Sequence, residues 1–222
     1  MRCAVSLEDF PDFDRAVNVR LQKAVGELCA EFAGIFPAER VTAVFTESTR
    51  ELSGGNVASF VPILAQRFAR ERLRARAHAE GLLERSGLVV LFISLTGGGR
   101  AQIGAALLAH DTDPSISVHT AGSHVTGDVD ANVRAAMDEI EVDLAEAFSR
   151  PLSPEVLADA DIVVTMGRSV GEVEIPAKAR HIDWRVGDPA GAPLEEVRRV
   201  RDDIRRRVAL LAAELQSASA TA

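Results

Sequence analysis

Apolar positions in roughly the first 85 residues recur at helical spacing. Val17, Leu21, Val25, Leu28 and Phe32 make one stripe, broken at Pro37. Val41, Val44, Phe45 and Leu52 make a second, ended by the turn-forming "SGGN" at Ser53 to Asn56. A third runs from Val57 through Phe60, Leu64 and Phe68 towards Leu82. Three helices with short links predict a bundle over residues 1–86. After "ERSG", Glu84 to Gly87, the period changes. Four short apolar runs, "LVVLFI", "SISVHTAGS", "ADIVVTMG" and "ARHIDW", alternate with helical segments that begin near Arg100, Val129 and Ser153, and a long last helix spans Leu194 to Leu215. Strands apolar on both faces and separated by helices belong to a parallel sheet covered on both sides. The predicted fold class is therefore α/β over 87–222, a four-stranded parallel doubly wound sheet, preceded by a three-helix bundle.

Composition narrows the class. A chain of 222 residues, 47% hydrophobic, can bury an ordinary core. The opening "MRCAVSLEDF" has no apolar signal segment, and the longest apolar run, Leu88 to Ile93, is far too short to cross a bilayer. A cytoplasmic protein without a membrane partner is expected. Two cysteines are too few for a disulfide framework or a zinc site: Cys29, one turn past Val25, reads as a buried core thiol and Cys3 as part of a loose terminus. The tail "QSASATA" has the composition of disorder.

The net charge of -8 is uneven: 12 basic and 12 acidic residues up to Gly87, then 13 basic against 21 acidic. The second part repels nucleic acid on average, so an anion site there must be local. The third helix carries Arg67, Arg70, Arg72, Arg74 and Arg76, but Glu71, Glu80 and Glu84 interrupt them and no aromatics interleave. A solvated helix face accounts for it better than nucleic acid.

In a parallel sheet, ligands sit beyond the carboxyl ends of the strands. "SLTGGGR", Ser94 to Arg100, occupies that place after the first strand. Gly97, Gly98 and Gly99 let successive N–H groups point inwards, the next helix adds the positive end of its dipole, and Arg100 can close on a tetrahedral oxyanion with two parallel hydrogen bonds. Glycines needed only for a tight turn are the plain alternative. A nucleotide loop is disfavoured, because Gly99-Arg100-Ala101 lacks the Walker Lys-Ser/Thr and the glycines miss the dinucleotide spacing.

Ser94 and Arg100 bracket five residues, which resembles the C-x5-R loop of low-molecular-weight protein tyrosine phosphatases and their arsenate-reductase relatives. "TAGS" at Thr120 to Ser123, "ADIVVTMG" at Ala160 to Gly167, "HIDWRVGDPAG" at His181 to Gly191 and "VRRVRDDIRRRV" at Val197 to Val208 look like that family and keep its order. "LAQRFARERLRA", Leu64 to Ala75, resembles the three-helix domain found before some actinobacterial arsenate reductases. The resemblance implies a low-molecular-weight phosphatase fold, no cofactor or metal, and a loop of Leu95, Thr96, Gly97, Gly98, Gly99 and Arg100 around phosphate, sulfate or arsenate. It implies catalytic positions at Ser94, where the nucleophilic cysteine should stand, Arg100, and Asp188 before Pro189 as general acid. A homodimer through the N-terminal helices is a further expectation.

The departures agree with one another. A serine hydroxyl without an adjacent base supplies essentially no nucleophilic anion at neutral pH. Ala101 stands where the family often places a hydroxyl beside the thiolate, Gly97 where it often places asparagine, and Arg168 follows "TMG" where thioredoxin-coupled members carry further cysteines. An exchange of cysteine for Ser94 made for study explains one change; loss of the supporting groups as well favours a lineage that abandoned the chemistry. The leading reading is a non-catalytic oxyanion binder. An active reductase or phosphatase, with Ser94 introduced for study, Ser94 using an unseen base, or a low-molecular-weight thiol as reductant, and an interaction protein with an unused anion loop stay open beside it. His110, His119, His124 and His181 form no ligand motif and read as surface or loop anchors; His124, which follows "TAGS", is also considered as a base for Ser94. Asp188-Pro189 has a turn as its plain explanation, and Trp184 is expected at the rim of the site.

Overall fold

The computed structural model describes residues 10, 13–54, 58–123, 129–144, 147–167 and 173–219, so Cys3, Val57, His124 and Arg168 lie outside the described residues. The chain divides into two compact units, Met1–Glu84 and Arg85–Ala222.

The first unit holds α1 (Arg15–Glu31), α2 (Ala38–Ser53) and α3 (Val61–Ala79). Asp14 caps α1 by accepting a 2.8 Å hydrogen bond from the Val17 N–H. The stripes read on α1 and α2 are buried. On α3 the reading needs correction: the helix starts at Val61, with Pro62 in its first turn where a missing N–H costs nothing. Its buried stripe is Val61, Ala65, Phe68, Ala69 and Leu73, while Phe60 and Leu82 are exposed. Small alanines carry the contact, and a search for large apolar residues passes over them. The arginines of α3 are not all solvated either. Arg72 is buried and reaches Glu47 at 2.9 Å, while Arg70 and Arg74 both bind Glu31, at 2.7 and 3.0 Å. Cys29 is half-buried and disulfide-bonded rather than a buried free thiol.

The second unit contains β1 (Val89–Ser94), α4 (Arg100–Asp111), β2 (Ser117–Gly122), α5 (Ala131–Asp138), α6 (Pro154–Asp159), β3 (Ile162–Met166), β4 (Arg180–Trp184) and α7 (Leu194–Ser219). The four strands form a parallel sheet in the order β2-β1-β3-β4, as the alternation predicts. Val90, Phe92, Val164 and Met166 pack with α4, α5 and α7 in one core. Leu91, Ile93 and Val163 alternate to the opposite face and are buried as well, which explains why these strands read as continuous apolar runs. Trp184 belongs to this core, 5.8 Å from Phe92 and 6% exposed, and not to a rim. The helix α7 continues through Gln216 to Ser219, so the tail's first four residues extend it. Among the described residues no helix is long and apolar enough to cross a membrane.

Candidate oxyanion site

β1 ends at Ser94, whose backbone lies in register between Gly122 of β2 and Met166 of β3. The loop after Ser94 therefore opens at the carboxyl ends of three adjacent strands, β2, β1 and β3. The chain turns at Gly97, which takes φ +70°, and a side chain there would also strike the backbone of Gly122 at 2.8 Å. That turn brings the Gly97 N–H back onto the Ser94 hydroxyl, at 3.1 Å. The Gly98 N–H lies 3.4 Å from the Thr96 hydroxyl.

From Gly99 the chain enters α4. Among the described residues, the N–H groups of Gly99, Arg100 and Ala101 have no acceptor within the chain, and they lie at the positive end of the helix dipole. Three adjacent unanswered donors at a helix start are suited to the oxygens of a tetrahedral anion.

The Arg100 side chain is buried to 7% exposure and passes over Gly167, the residue after β3. A Cβ at Gly167 would fall 2.1 Å from Nη1, so only glycine leaves the guanidinium its place. Its other terminal nitrogen, Nη2, is 3.1 Å from Oδ2 of Asp188. Asp188 is the exposed member of the pair at 53%, and its Oδ1 also accepts the Ala190 N–H at 3.2 Å. The turn-forming role of Asp188 and its place beside the loop arginine thus coexist. The loop that carries it is tied to α5: Asp130 accepts the Gly191 N–H at 3.2 Å, and the Asn132 amide donates to the Ala192 carbonyl at 3.0 Å.

A second set of residues holds the loop from behind. The Gln102 amide nitrogen, on α4 and 4% exposed, lies 2.9 Å from the Gly97 carbonyl, 3.0 Å from the Thr120 hydroxyl and 2.9 Å from the Phe148 carbonyl. The Ser149 hydroxyl donates to the Thr96 carbonyl. In a trans peptide the N–H lies opposite the carbonyl, so holding the Thr96 and Gly97 carbonyls also fixes the N–H groups of Gly97 and Gly98, which face the Ser94 and Thr96 hydroxyls. Gln102 and Ser149 are not apparent from motif reading. One signal for Gln102 does exist: it is the sole uncharged polar side chain in "RAQIGAALLA", a segment otherwise apolar after its arginine.

The structure brings Ser94, Thr96, Gly97, Gly98, Gly99, Arg100 and Asp188 together, and Leu95 lies in the same loop. Neither His110 nor His181 is bonded to the loop. His110 faces Asp111 at 3.0 Å and His181 bonds to Thr165 at 2.9 Å. No group of three His, Cys, Asp or Glu suited to a metal occurs among the described residues.

Residues 89–220 match the family described as low molecular weight phosphotyrosine protein phosphatase, and residues 21–77 match the protein-tyrosine-phosphatase-like N-terminal domain. The chain is 31% identical to the thioredoxin-dependent arsenate reductase of Corynebacterium glutamicum, with a TM-score of 0.79 over 89% of this chain and 97% of that one. It is 35% identical over 123 residues to a Halobacterium salinarum protein named after arsenate reductase, covering 53% of this chain and 85% of that protein. The arginine phosphatase of Geobacillus stearothermophilus, 23% identical with a TM-score of 0.55 over 60% of this chain and 96% of that one, shares the fold. The sheet order, the loop after β1 and these likenesses agree: the chain belongs to the low molecular weight phosphotyrosine protein phosphatase family.

Proposed function

We propose that the chain binds a phosphate-like oxyanion in the loop from Ser94 to Arg100 and does not turn it over. The observation that carries this reading is the set of unanswered N–H groups at Gly99, Arg100 and Ala101 beside the buried Arg100 side chain, with a hydroxyl at the foot of the loop in place of the family's thiol. Tetrahedral oxyanions are held by such donors through charge-assisted hydrogen bonds. Attack on phosphorus or arsenic needs a deprotonated nucleophile. Among the described residues no carboxylate or imidazole is hydrogen-bonded to the Ser94 Oγ, and Asp188 is paired with Arg100. Leaving-group protonation by Asp188 then has no bond cleavage to assist.

Calorimetric titration of phosphate and arsenate, with Arg100→Ala as control, tests the reading. Binding that weakens by more than about tenfold in the control, with no hydrolysis of a phosphate ester by the unaltered chain, is the result expected. Phosphate-inhibited hydrolysis by the unaltered chain overturns it.

The near full-length likeness to the Corynebacterium glutamicum reductase supports a second reading, in which the machinery is complete except for its nucleophile. Ser94→Cys then gains phosphatase activity, or reductase activity with an added low-molecular-weight thiol. Pairing of two copies through the helical unit is a further part of the proposal, supported by the exposed Phe60 and Ile63 beside a groove between α1 and α3. Sedimentation of Phe60→Asp against the unaltered chain tests it.

A further inference from the structure

Ser94 changes the chemistry of the cradle in a way that goes beyond the loss of a nucleophile. The residue is 1% exposed, and its hydroxyl accepts the Gly97 N–H at 3.1 Å. A hydroxyl has one proton to give as well as lone pairs to offer, and no described group accepts that proton. A buried O–H without an acceptor is unfavourable, and here it sits at the foot of a loop in which the N–H groups of Gly99, Arg100 and Ala101 are also unanswered among the described residues. A thiolate at the same position would have the opposite character: one full negative charge and no proton to give, repelling the anion that the N–H groups attract.

We propose that the Ser94 hydroxyl donates a hydrogen bond to a tetrahedral dianion held in the loop, making the cradle a neutral-floored receptor for phosphate, free or as a monoester. The inference rests on the oxyanion-binding reading above and adds to it a specific donor. The charged side chains at the loop are Arg100 on α4 and its partner Asp188 in the loop after β4; the register neighbours of Ser94 on the adjoining strands, Gly122 and Met166, do not titrate. The donor set thus keeps its protons while a cysteine at this position would lose its own.

Sulfate is the probe that isolates the effect, because it remains a dianion across the range in which a thiol ionises. The unaltered chain, Ser94→Ala and Ser94→Cys are titrated with sulfate by calorimetry from about pH 6 to about pH 9, with circular dichroism confirming that each is folded. Loss of a donor to a charged group weakens Ser94→Ala by about tenfold at every pH. Ser94→Cys starts near Ser94→Ala and falls further behind the unaltered chain as pH rises. Equal sulfate affinity for the unaltered chain and Ser94→Ala overturns the donor role while leaving oxyanion binding in place. Failure of the unaltered chain to bind sulfate, phosphate or phenyl phosphate overturns both readings. Displacement of sulfate by phenyl phosphate as readily as by inorganic phosphate supports a monoester as the dianion; displacement by inorganic phosphate alone supports the free ion. Both outcomes leave the hydroxyl as donor.

Discussion

The two units bury polar side chains to different ends. In the helical unit, Thr49 donates to the Phe45 carbonyl one turn earlier on its own helix, and Arg72 is answered by Ser48, Glu47 and Glu51 of the neighbouring helix. Both side chains are absorbed by the packing of the helices. In the α/β unit, Ser94, Arg100, Gln102, Thr120 and Ser149 are all buried and all bear on one loop. Burying polar groups is costly unless they are answered, so a cluster whose donors remain partly unanswered marks the place where a ligand is to answer them. Counting buried polar residues would not separate the units; following where their hydrogen bonds go does.

The largest effect expected on this contrast comes from the helical core. Phe45 is fully buried, and Phe45→Ala leaves a cavity that costs about 3–5 kcal/mol, read as a lower urea midpoint. Phosphate affinity of the folded variant stays as it was. A folded Phe45→Ala protein that no longer binds phosphate breaks the contrast. Arg100→Ala has the reverse signature: binding weakens by about 1.5–3 kcal/mol, more than tenfold, while stability moves little because the released Asp188 is already half in solvent. Arg100→Lys keeps the charge but loses the fork, and recovers part of the affinity at most.

Much of this was legible in the letters. The alternation of apolar runs with helices points to a parallel sheet; β1 and β3, buried throughout, read as unbroken runs, whereas the edge strands β2 and β4 are partly exposed and mixed in polarity, and the glycines before Arg100 mark the loop. What the letters hide is long-range pairing. Gln102 is bound to residues 18 and 46 positions away, and no local pattern joins them. The small Ala65 and Ala69 of α3 escape for a related reason: their burial comes from the close approach of a neighbour, which leaves no large apolar residue to see. A tryptophan near a site suggests a rim, whereas the strand position of Trp184 turns it inwards onto Phe92.

Gln102 offers the next sharpest test. Gln102→Ala removes the donor shared by the Gly97 and Phe148 carbonyls and the Thr120 hydroxyl, leaving buried acceptors unanswered at about 1–3 kcal/mol. Because the same nitrogen sets the orientation of the Gly97 peptide, anion affinity falls too, although Gln102 need not touch the anion. A variant that loses stability and keeps full phosphate affinity assigns Gln102 to packing alone and narrows the functional cluster to the loop itself.

The smallest effect expected lies at the far end of α5, whose two termini repeat the contrast in miniature. At its start, Asp130 caps the helix and holds the Asp188 loop. Just past its end, Glu139 binds Arg198 and Arg201 of α7. Hydrogen bonds from Arg198, and then from Arg201, hold the Glu139 carboxyl down at about 2 against an ordinary 4.5. The folded chain therefore binds fewer protons at this site than the unfolded chain between those values. The stability it contributes is complete above about pH 4.5 and is lost as pH falls towards 2. Glu139→Gln removes that component, so its melting temperature should fall less than that of the unaltered chain as pH drops from about 5 to about 3. The effect is modest because the pair is solvent-screened. Phosphate affinity at neutral pH should be unchanged in Glu139→Gln and reduced in Asp130→Ala, where the Asp188 loop loses its tether. Equal affinity in the two variants would mean that the Asp130 contact does not decide the placement of Asp188, and that the Asn132 amide and Arg100 hold it beside the loop.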